Sequence, residues 1–416
     1  MLEGEGGREM QGKKEKAMKA REKPAALGPD LDINSFTRDV KPWRYGPIHS
    51  LSSDITQQSL KVGIRPDEKG RAGTYFQIDH STVFRATQKM FEGKAEVMST
   101  EEAFEKYDWM DNYWWKVVDV DADKYTALAE MEWDKGYFIR ALEGQNITLP
   151  LQACLFISKD NLNQNVHNII IAEPNSEMQI ITGCTIHPNV QRGLHVGISE
   201  FFVKEGAKLT FTMIHNWAQN FDVRPRTGAM IEDGATFANN YVCLKPVKSL
   251  QMYPVAYCKG VNSRVRFNSI LYGAENSNLD VGSKVILQAA GSRGEVTTRA
   301  IASDNSQIYA RGLLIGEHED SKAHLECRGL LLSNSSSIHA IPELIAKVKG
   351  AELSHEAAVG KIAEDQIQYL MARGFSESEA VALIVRGFMD VSIFGLPSQL
   401  QEEIKKMVDI TTLRVL

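Results

Sequence analysis

The 416-residue sequence predicts a mainly β protein with a strand-rich middle and helical flanks. Three observations predict it. Between about residues 145 and 345, short runs of Val, Ile, Thr, Phe and Leu recur, separated by Gly, Asn, Asp and Ser, with no long helical periodicity among them. Inside that stretch Ser306-Gln-Ile-Tyr-Ala-Arg-Gly-Leu-Leu-Ile is echoed by Ala323-His-Leu-Glu-Cys-Arg-Gly-Leu-Leu-Leu, and the two Arg-Gly-Leu-Leu units, at Arg311 and Arg328, lie 17 residues apart. After Glu352 the pattern turns helical. Short strands over such a length fit a sandwich, a barrel or a β-solenoid, and the echo favours the solenoid, in which each coil stacks on the last and buries a continuous core.

The elements follow in chain order. Residues 1–30 alternate lysines (Lys13, Lys14, Lys16, Lys19, Lys23) with glutamates around few apolar residues, which predicts a disordered or fraying charged arm. Residues 31–144 read as a mixed, partly helical domain. Ser99-Thr-Glu-Glu-Ala-Phe-Glu is a helix start with acids in its first turn. The aromatic run Trp109, Tyr113, Trp114 and Trp115 is surrounded by Asp108, Asp111, Asp119 and Asp121, so it reads as packing and not as a nucleobase-stacking platform, which needs basic charge. In the stretch 145–350, Asn168-Ile-Ile-Ile-Ala, Met178-Gln-Ile-Ile-Thr, Lys208-Leu-Thr-Phe-Thr and Lys284-Val-Ile-Leu-Gln are typical strands, and Ser337-Ile-His-Ala-Ile is a further one. Residues 351–416 read as a helical domain. Glu364 to Arg373 places Ile367, Leu370 and Met371 on one face and stops at Gly374. Ser376-Glu-Ser-Glu379 is a capping box that opens a helix ending near Gly387, and Ser398 to Val408 forms a third. Three such short helices must pack on the solenoid, on a partner, or on both.

Composition narrows the function classes. Hydrophobic residues make up 43% and charged residues 24%, as in an ordinary soluble domain, and the net charge of −6 gives no reason to expect nucleic acid or an acidic membrane. No apolar run reaches the length of a membrane span and the first residues carry no apolar stretch, so a soluble cytoplasmic protein is expected. The five cysteines, Cys154, Cys184, Cys243, Cys258 and Cys327, are odd in number and widely spaced, which argues against a disulfide framework or a structural zinc site. No G-x-x-x-x-G-K-[ST] loop is present, so any ATP hydrolysis belongs to a partner chain.

Two places carry chemistry. In a strand, Ala323, Leu325 and Cys327 share one face and His324, Glu326 and Arg328 the other, so Cys327 is expected to face inward. Ser354-His355-Glu356 lies where the strand pattern gives way to helices. A thiolate suits iron–sulfur chemistry, and an imidazole with a carboxylate suits iron. Alone, Cys327 reads as a packed core thiol, and His355-Glu356 is a weak motif that usually marks only a polar surface.

At these residues the chain resembles the SufB/SufD family. Glu326-Cys327-Arg-Gly-Leu-Leu-Leu, Ile338-His-Ala-Ile-Pro-Glu-Leu, Ser354-His355-Glu356-Ala-Ala-Val-Gly-Lys361-Ile and Glu379-Ala-Val-Ala-Leu-Ile-Val-Arg-Gly-Phe388 follow its C-terminal signature in order and spacing. Gly183-Cys184-Thr and Met213-Ile-His-Asn-Trp217 also look like that family. The resemblance implies a right-handed parallel β-helix flanked by helical regions, paired through its β-helix with a second copy or a sister chain. It also implies a SufC-type ABC ATPase on the C-terminal helices, and a nascent iron–sulfur cluster built at the pair interface for transfer to apo-proteins. Cys327 matches the SufB assembly-site cysteine, His355 the interface histidine of both branches, and Glu356 the glutamate beside it in SufB. The sulfur-accepting cysteine of a Tyr-Pro-x-Cys context is replaced here, in Tyr253-Pro254-Val255-Ala256, by Ala256. Cys258, two residues on and on the same strand face, could serve as a sulfur relay or simply as a core thiol, and direct uptake of sulfide is another route besides a cysteine desulfurase system. Cluster type, sulfur donor and the part of a flavin are left open by the residues.

Two rival readings stand beside the scaffold. A SufD-like chain would dock the ATPase without ligating the cluster and would not need Cys327. A β-helical polysaccharide lyase would place acids and bases on the outer solenoid face and would normally be secreted.

Overall fold

The structure, a computed structural model, describes residues 5–389 except 244, together with 401, 402 and 405. Its centre is a parallel β-helix of about eight turns built from two sheets. One sheet, called here the first, runs β3 (Ala95–Ser99), β4 (Tyr137–Ala141), β6 (Leu162–Ala172) and β8 (Arg192–Val203). It continues through the paired segments β10 (Asn220–Val223) with β11 (Arg226–Ile231) and β13 (Ser249–Met252) with β14 (Val255–Cys258), then β16 (Asn278–Leu287), β18 (Gln307–Gly316) and β20 (Ser337–Ala346). The second runs β2 (Ser81–Thr87), β1 (Gly73–Ile78), β5 (Leu151–Ile157), β7 (Glu177–Ile186), β9 (Lys208–Asn216) and β12 (Thr236–Cys243), then β15 (Arg264–Gly273), β17 (Arg293–Ala302), β19 (Lys322–Leu331) and β21 (Glu352–Lys361). From β4 onward, successive strands or paired segments alternate between the sheets, so every coil contributes one rung to each.

The coil length follows from the second sheet, whose strands start at residues 264, 293, 322 and 352, one coil every 29 or 30 residues. The 17-residue echo is therefore not the coil repeat. Arg311 lies in β18 and Arg328 in β19, consecutive strands in opposite sheets. The two match because both meet the same demand: an Arg turned outward, a Gly turned into the crowded interior, then leucines. At Gly312 an added Cβ would lie 1.7 Å from Leu325 Cδ1 and 2.8 Å from its Cγ, so Leu325 would have to give way to any side chain there. Turns between coils stack as well. Gly291, at φ +67°, faces Asn262 of the preceding coil, itself left-handed at φ +57°.

Alternate residues of both sheets fill the interior, from Tyr75, Tyr137 and Leu151 at one end to Leu325 and Cys327 at the other. The outer faces are covered in part. Trp114 and Trp115, buried as the sequence predicts, pack with α4 (Lys124–Met131) over Leu194, Val196 and Ile198 of the first sheet. The stretch around α2 (Ser53–Leu60) and Val62 covers the start of the second sheet. At its other end α6 (Glu377–Phe388) buries Val385 against Ile270, Ile301 and Leu330, and α5 (Glu364–Met371) packs beside α6. The predicted helix starts hold. Ser99 caps α3 (Thr100–Lys106) with Glu102 returning the bond, and Ser376 and Glu379 do the same for α6.

Three expectations differ from the structure. Residues 5–20, expected as part of a disordered arm, form α1 (Glu5–Ala20), because Ala17 and Ala20 give it an apolar face that is buried in the tryptophan cluster beside α4. The sheets begin before residue 145, since β1 pairs with β5 and β4 with β6. They also run on past 352, since Glu352–Lys361 pairs along its length with β19 and helix starts only at Glu364. The third helix expected over Ser398–Val408 lies largely outside the described residues. No helix among the described residues is long and apolar enough to cross a membrane.

Candidate functional site

Cys327 lies in β19, in the last coil but one. Strand alternation turns it inward with Ala323 and Leu325, as the sequence predicts, and it is 2% exposed. Burial pushes its thiol up to about 11, and the neighbouring Glu326 carboxylate adds to the rise.

β21 is the last strand of the second sheet. Its register with β19 sets Leu325 beside His355, Glu326 beside Glu356 and Cys327 beside Ala357. Register partners on parallel strands project from the same face. His355 is therefore on the inner face with Cys327, and Glu356 is on the outer face with Glu326. The neighbours agree: Leu353 packs on the interior cluster, whereas Ser354 Oγ lies 2.9 Å from His324 Nδ1 outside. Because no rung follows β21 among the described residues, His355 and Glu356 are exposed on their opposite faces.

Of the three candidate ligands, the fold thus brings Cys327 and His355 to one face, one rung and two residues apart, and carries Glu356 to the other. Adjacency in sequence separates His355 from Glu356, because neighbouring residues of a strand point opposite ways. The register partner of Glu356 is Glu326, which is ion-paired with Arg328. No group of three or more His, Cys, Asp or Glu side chains among the described residues is arranged to hold a metal ion. A thiolate and an imidazole can start an iron site, and further ligands have to come from a second chain or from a shift of the last strand.

Cys258 is not part of this grouping. It lies in β14 of the first sheet, with Ala256 and Cys258 both fully buried on the inner face. Burial pushes its thiol up to about 12. Its register runs through Leu287 to Gly316, so two rungs and the width of the solenoid separate it from β19. Cys184, His215 and Trp217 are buried inside the solenoid as well, His215 Nδ1 lying 2.8 Å from the Tyr241 hydroxyl.

Other residues aligned with Cys327 escaped the sequence reading. Tyr241, Ser269, Thr298 and Cys327 occupy one register position on β12, β15, β17 and β19, so side chains ending in a hydroxyl line the interior behind the thiol. Their signal is the constant spacing of Ser269, Thr298 and Cys327, which matches the coil and not the 17-residue echo.

The chain is similar in sequence to known proteins. Residues 155–388 match the family described as SUF system FeS cluster assembly, SufBD core domain. The chain is 48% identical over 402 residues to an iron–sulfur cluster assembly SufBD family protein of Methanothermobacter thermautotrophicus, covering 95% of this chain and 97% of that protein. It is 49% identical over 357 residues to a SufBD family protein of Archaeoglobus fulgidus, covering 86% and 95%. It is also 29% identical over 386 residues to the iron–sulfur cluster assembly protein SufB of Bacillus subtilis, covering 91% and 83%.

Proposed function

This chain belongs to the SufBD family of iron–sulfur cluster assembly proteins, and we propose that it is the scaffold on which a nascent cluster is built between two β-helices and then handed to apo-proteins. The observation that carries this reading is the common inner face of Cys327 and His355 at the end of the solenoid. On this reading iron and sulfide are the cargo. Cys327 supplies the thiolate, His355 the imidazole, and a carboxylate comes from Glu356, on the other face of the same strand or from the second chain.

Several features support a paired state. β20 and β21 each have one unpaired edge among the described residues. The last coil leaves Leu344, Ile345, Val348 and Val359 between 36% and 43% exposed. Bare sheet edges with apolar side chains are places where a second chain adds on. A partner there would bury His355 and would bring its own last coil within reach of Cys327. Docking of a SufC-type ATPase is assigned to α5 and α6, where Tyr369, Met371, Phe375 and Leu383 stay exposed. The packing of α6, through Val381, Val385 and Phe388, on the cluster of Ile301 and Leu330, on the same strands as Thr298 and Cys327, gives motion of that helix a route to the site. Leu383→Asp should then abolish ATPase docking.

The buried thiol must be uncovered and deprotonated before it binds iron, which is the work this reading assigns to the ATPase. Sulfur is taken up directly as sulfide at the open end, since Cys258 is sealed in the other sheet. Cys258→Ala should leave sulfide-driven loading unchanged.

The test is anaerobic reconstitution with ferrous iron and sulfide, followed by visible absorption and Mössbauer spectra of the wild type and Cys327→Ser. Charge-transfer bands present in the wild type and absent in the variant are expected. Bands of equal strength in both would remove Cys327 from the site, and no bands in either, with the ATPase present, would turn the reading to a SufD-like docking chain.

A further inference from the structure

The outer face of the second sheet holds a basic strip that the proposed assembly chemistry does not use. Arg264, Arg293 and Lys322 are register partners on β15, β17 and β19. Three cations therefore stand side by side at about one strand spacing, 4.8 Å. Like charges directly opposite one another destabilise a sheet. The next outward position carries Arg266, Glu295 and His324.

The counter-charges only partly answer. Arg266 Nε pairs with Glu295 Oε2 at 2.7 Å, and Lys322 Nζ with Glu352 Oε2 at 2.7 Å. Arg293 donates to two main-chain oxygens, of Ser292 at 3.0 Å and Asp320 at 2.6 Å, which satisfy its N–H groups without neutralising it. Arg264 is exposed and has no side-chain partner among the described residues. Two positive charges remain uncompensated in a protein whose net charge is −6. They line an open groove with the small side chains of Thr236 and Ala238 at one end and Ser354 of the last strand at the other.

We propose that this groove docks an acidic, extended segment of a partner protein, laid along the solenoid axis towards β21. Charge complementarity selects the ligand, because arginines on successive rungs offer paired N–H donors that fit carboxylates. A single-stranded nucleic acid would use aromatic side chains to stack its bases, and the aromatic rings lining the groove are Phe237, at 3% exposure, and the half-buried His324, which is already held by Ser354. An anionic membrane is disfavoured by the concave shape and by the negative charge of the chain as a whole. The docking does not depend on which residues hold the cluster.

The experiment is fluorescence anisotropy of the full chain with a fluorescein-labelled oligo-aspartate peptide over a series of salt concentrations. Binding that weakens with salt is expected, and Arg264→Gln and Arg293→Gln should each lower affinity by about threefold, the scale of exposed ion pairs. Arg264 is exposed and has no side-chain hydrogen bond or ion pair among the described residues, so its variant keeps the test sound if circular dichroism shows that Arg293→Gln has lost structure. Equal binding by the wild type and Arg264→Gln, or no binding at low salt, overturns the proposal. Tighter binding of a single-stranded RNA of equal charge, or of phosphatidylserine vesicles, overturns it too. Because the readout needs no iron, loss of cluster formation in Cys327→Ser leaves it untouched.

Discussion

His355 is the register partner of Leu325, two residues before Cys327, so the imidazole and the thiol stand on the inner face of the last two rungs of one sheet while Glu356 stands outside. Sequence order would have grouped His355 with Glu356. The sheet groups it with Cys327.

That grouping predicts an energetic coupling. With the ATPase and ATP present, a double-mutant cycle of Cys327→Ser and His355→Ala, read as ferrous-iron affinity without oxygen, should show an interaction of about 0.5–3 kcal/mol. The cycle of Cys327→Ser with Glu356→Gln should be additive within about 0.5 kcal/mol. Strong coupling of Cys327 to Glu356 in the protomer would mean that the last strand turns over to present its other face.

The open end of the solenoid predicts self-association. Ile345→Lys with Val359→Lys, at positions that are 43% and 39% exposed, should convert a sedimenting dimer to monomer. Thermal stability should fall only modestly, by about 1 kcal/mol, because each side chain is already more than a third exposed within one chain. A dimer that survives both charges would move the interface elsewhere.

Glu200 predicts how firmly the N-terminal region is held. Its carboxylate, fully buried in β8, accepts the backbone N–H groups of Trp115, Lys116, Val117 and Val118 at 2.6–3.1 Å and lies 2.8 Å from His167 Nε2. Glu200→Ala leaves those donors without an acceptor and should cost about 3–5 kcal/mol in urea unfolding, the scale for breaking a buried charged contact. A loss under about 1 kcal/mol would show that the loop is held by its tryptophans alone.

Stability should fall on acidification for a reason that can be assigned. His195 and His215 face the solenoid interior; burial pushes His195 down to about 3 and His215 well below its ordinary range, with His195 adding to the second shift. The unfolded chain therefore binds protons on these residues first. Their contribution is intact above about pH 6.5, the ordinary histidine value, and is lost as pH falls towards 3. Urea unfolding from pH 7.5 to 4 should show the decline, and His195→Gln, which keeps a polar group near Gln164, should flatten it. An unchanged slope in that variant would assign the decline to His215 and the carboxylates.

How much of this was legible in the chain depends on the range of the forces involved. The capping boxes at Ser99 and Ser376, the strands from Asn168 to Lys284, the burial of Trp114 and Trp115 and the inward turn of Cys327 are local facts, set by side-chain period and by hydrogen bonds that close within four residues. The sequence by itself determined those, and it carried the family signature around Cys327, His355 and Glu356, through which the solenoid was expected. Tertiary structure alone decided that the coil is 29 or 30 residues long, that Glu352–Lys361 is a strand and that α1 is ordered by the tryptophan cluster. It alone placed Ser269 and Thr298 in line with Cys327, and His355 but not Glu356 beside it. Those outcomes rest on which backbone groups pair between strands a full coil apart, and a shift of one residue in that pairing would exchange the inner and outer faces of the last rung.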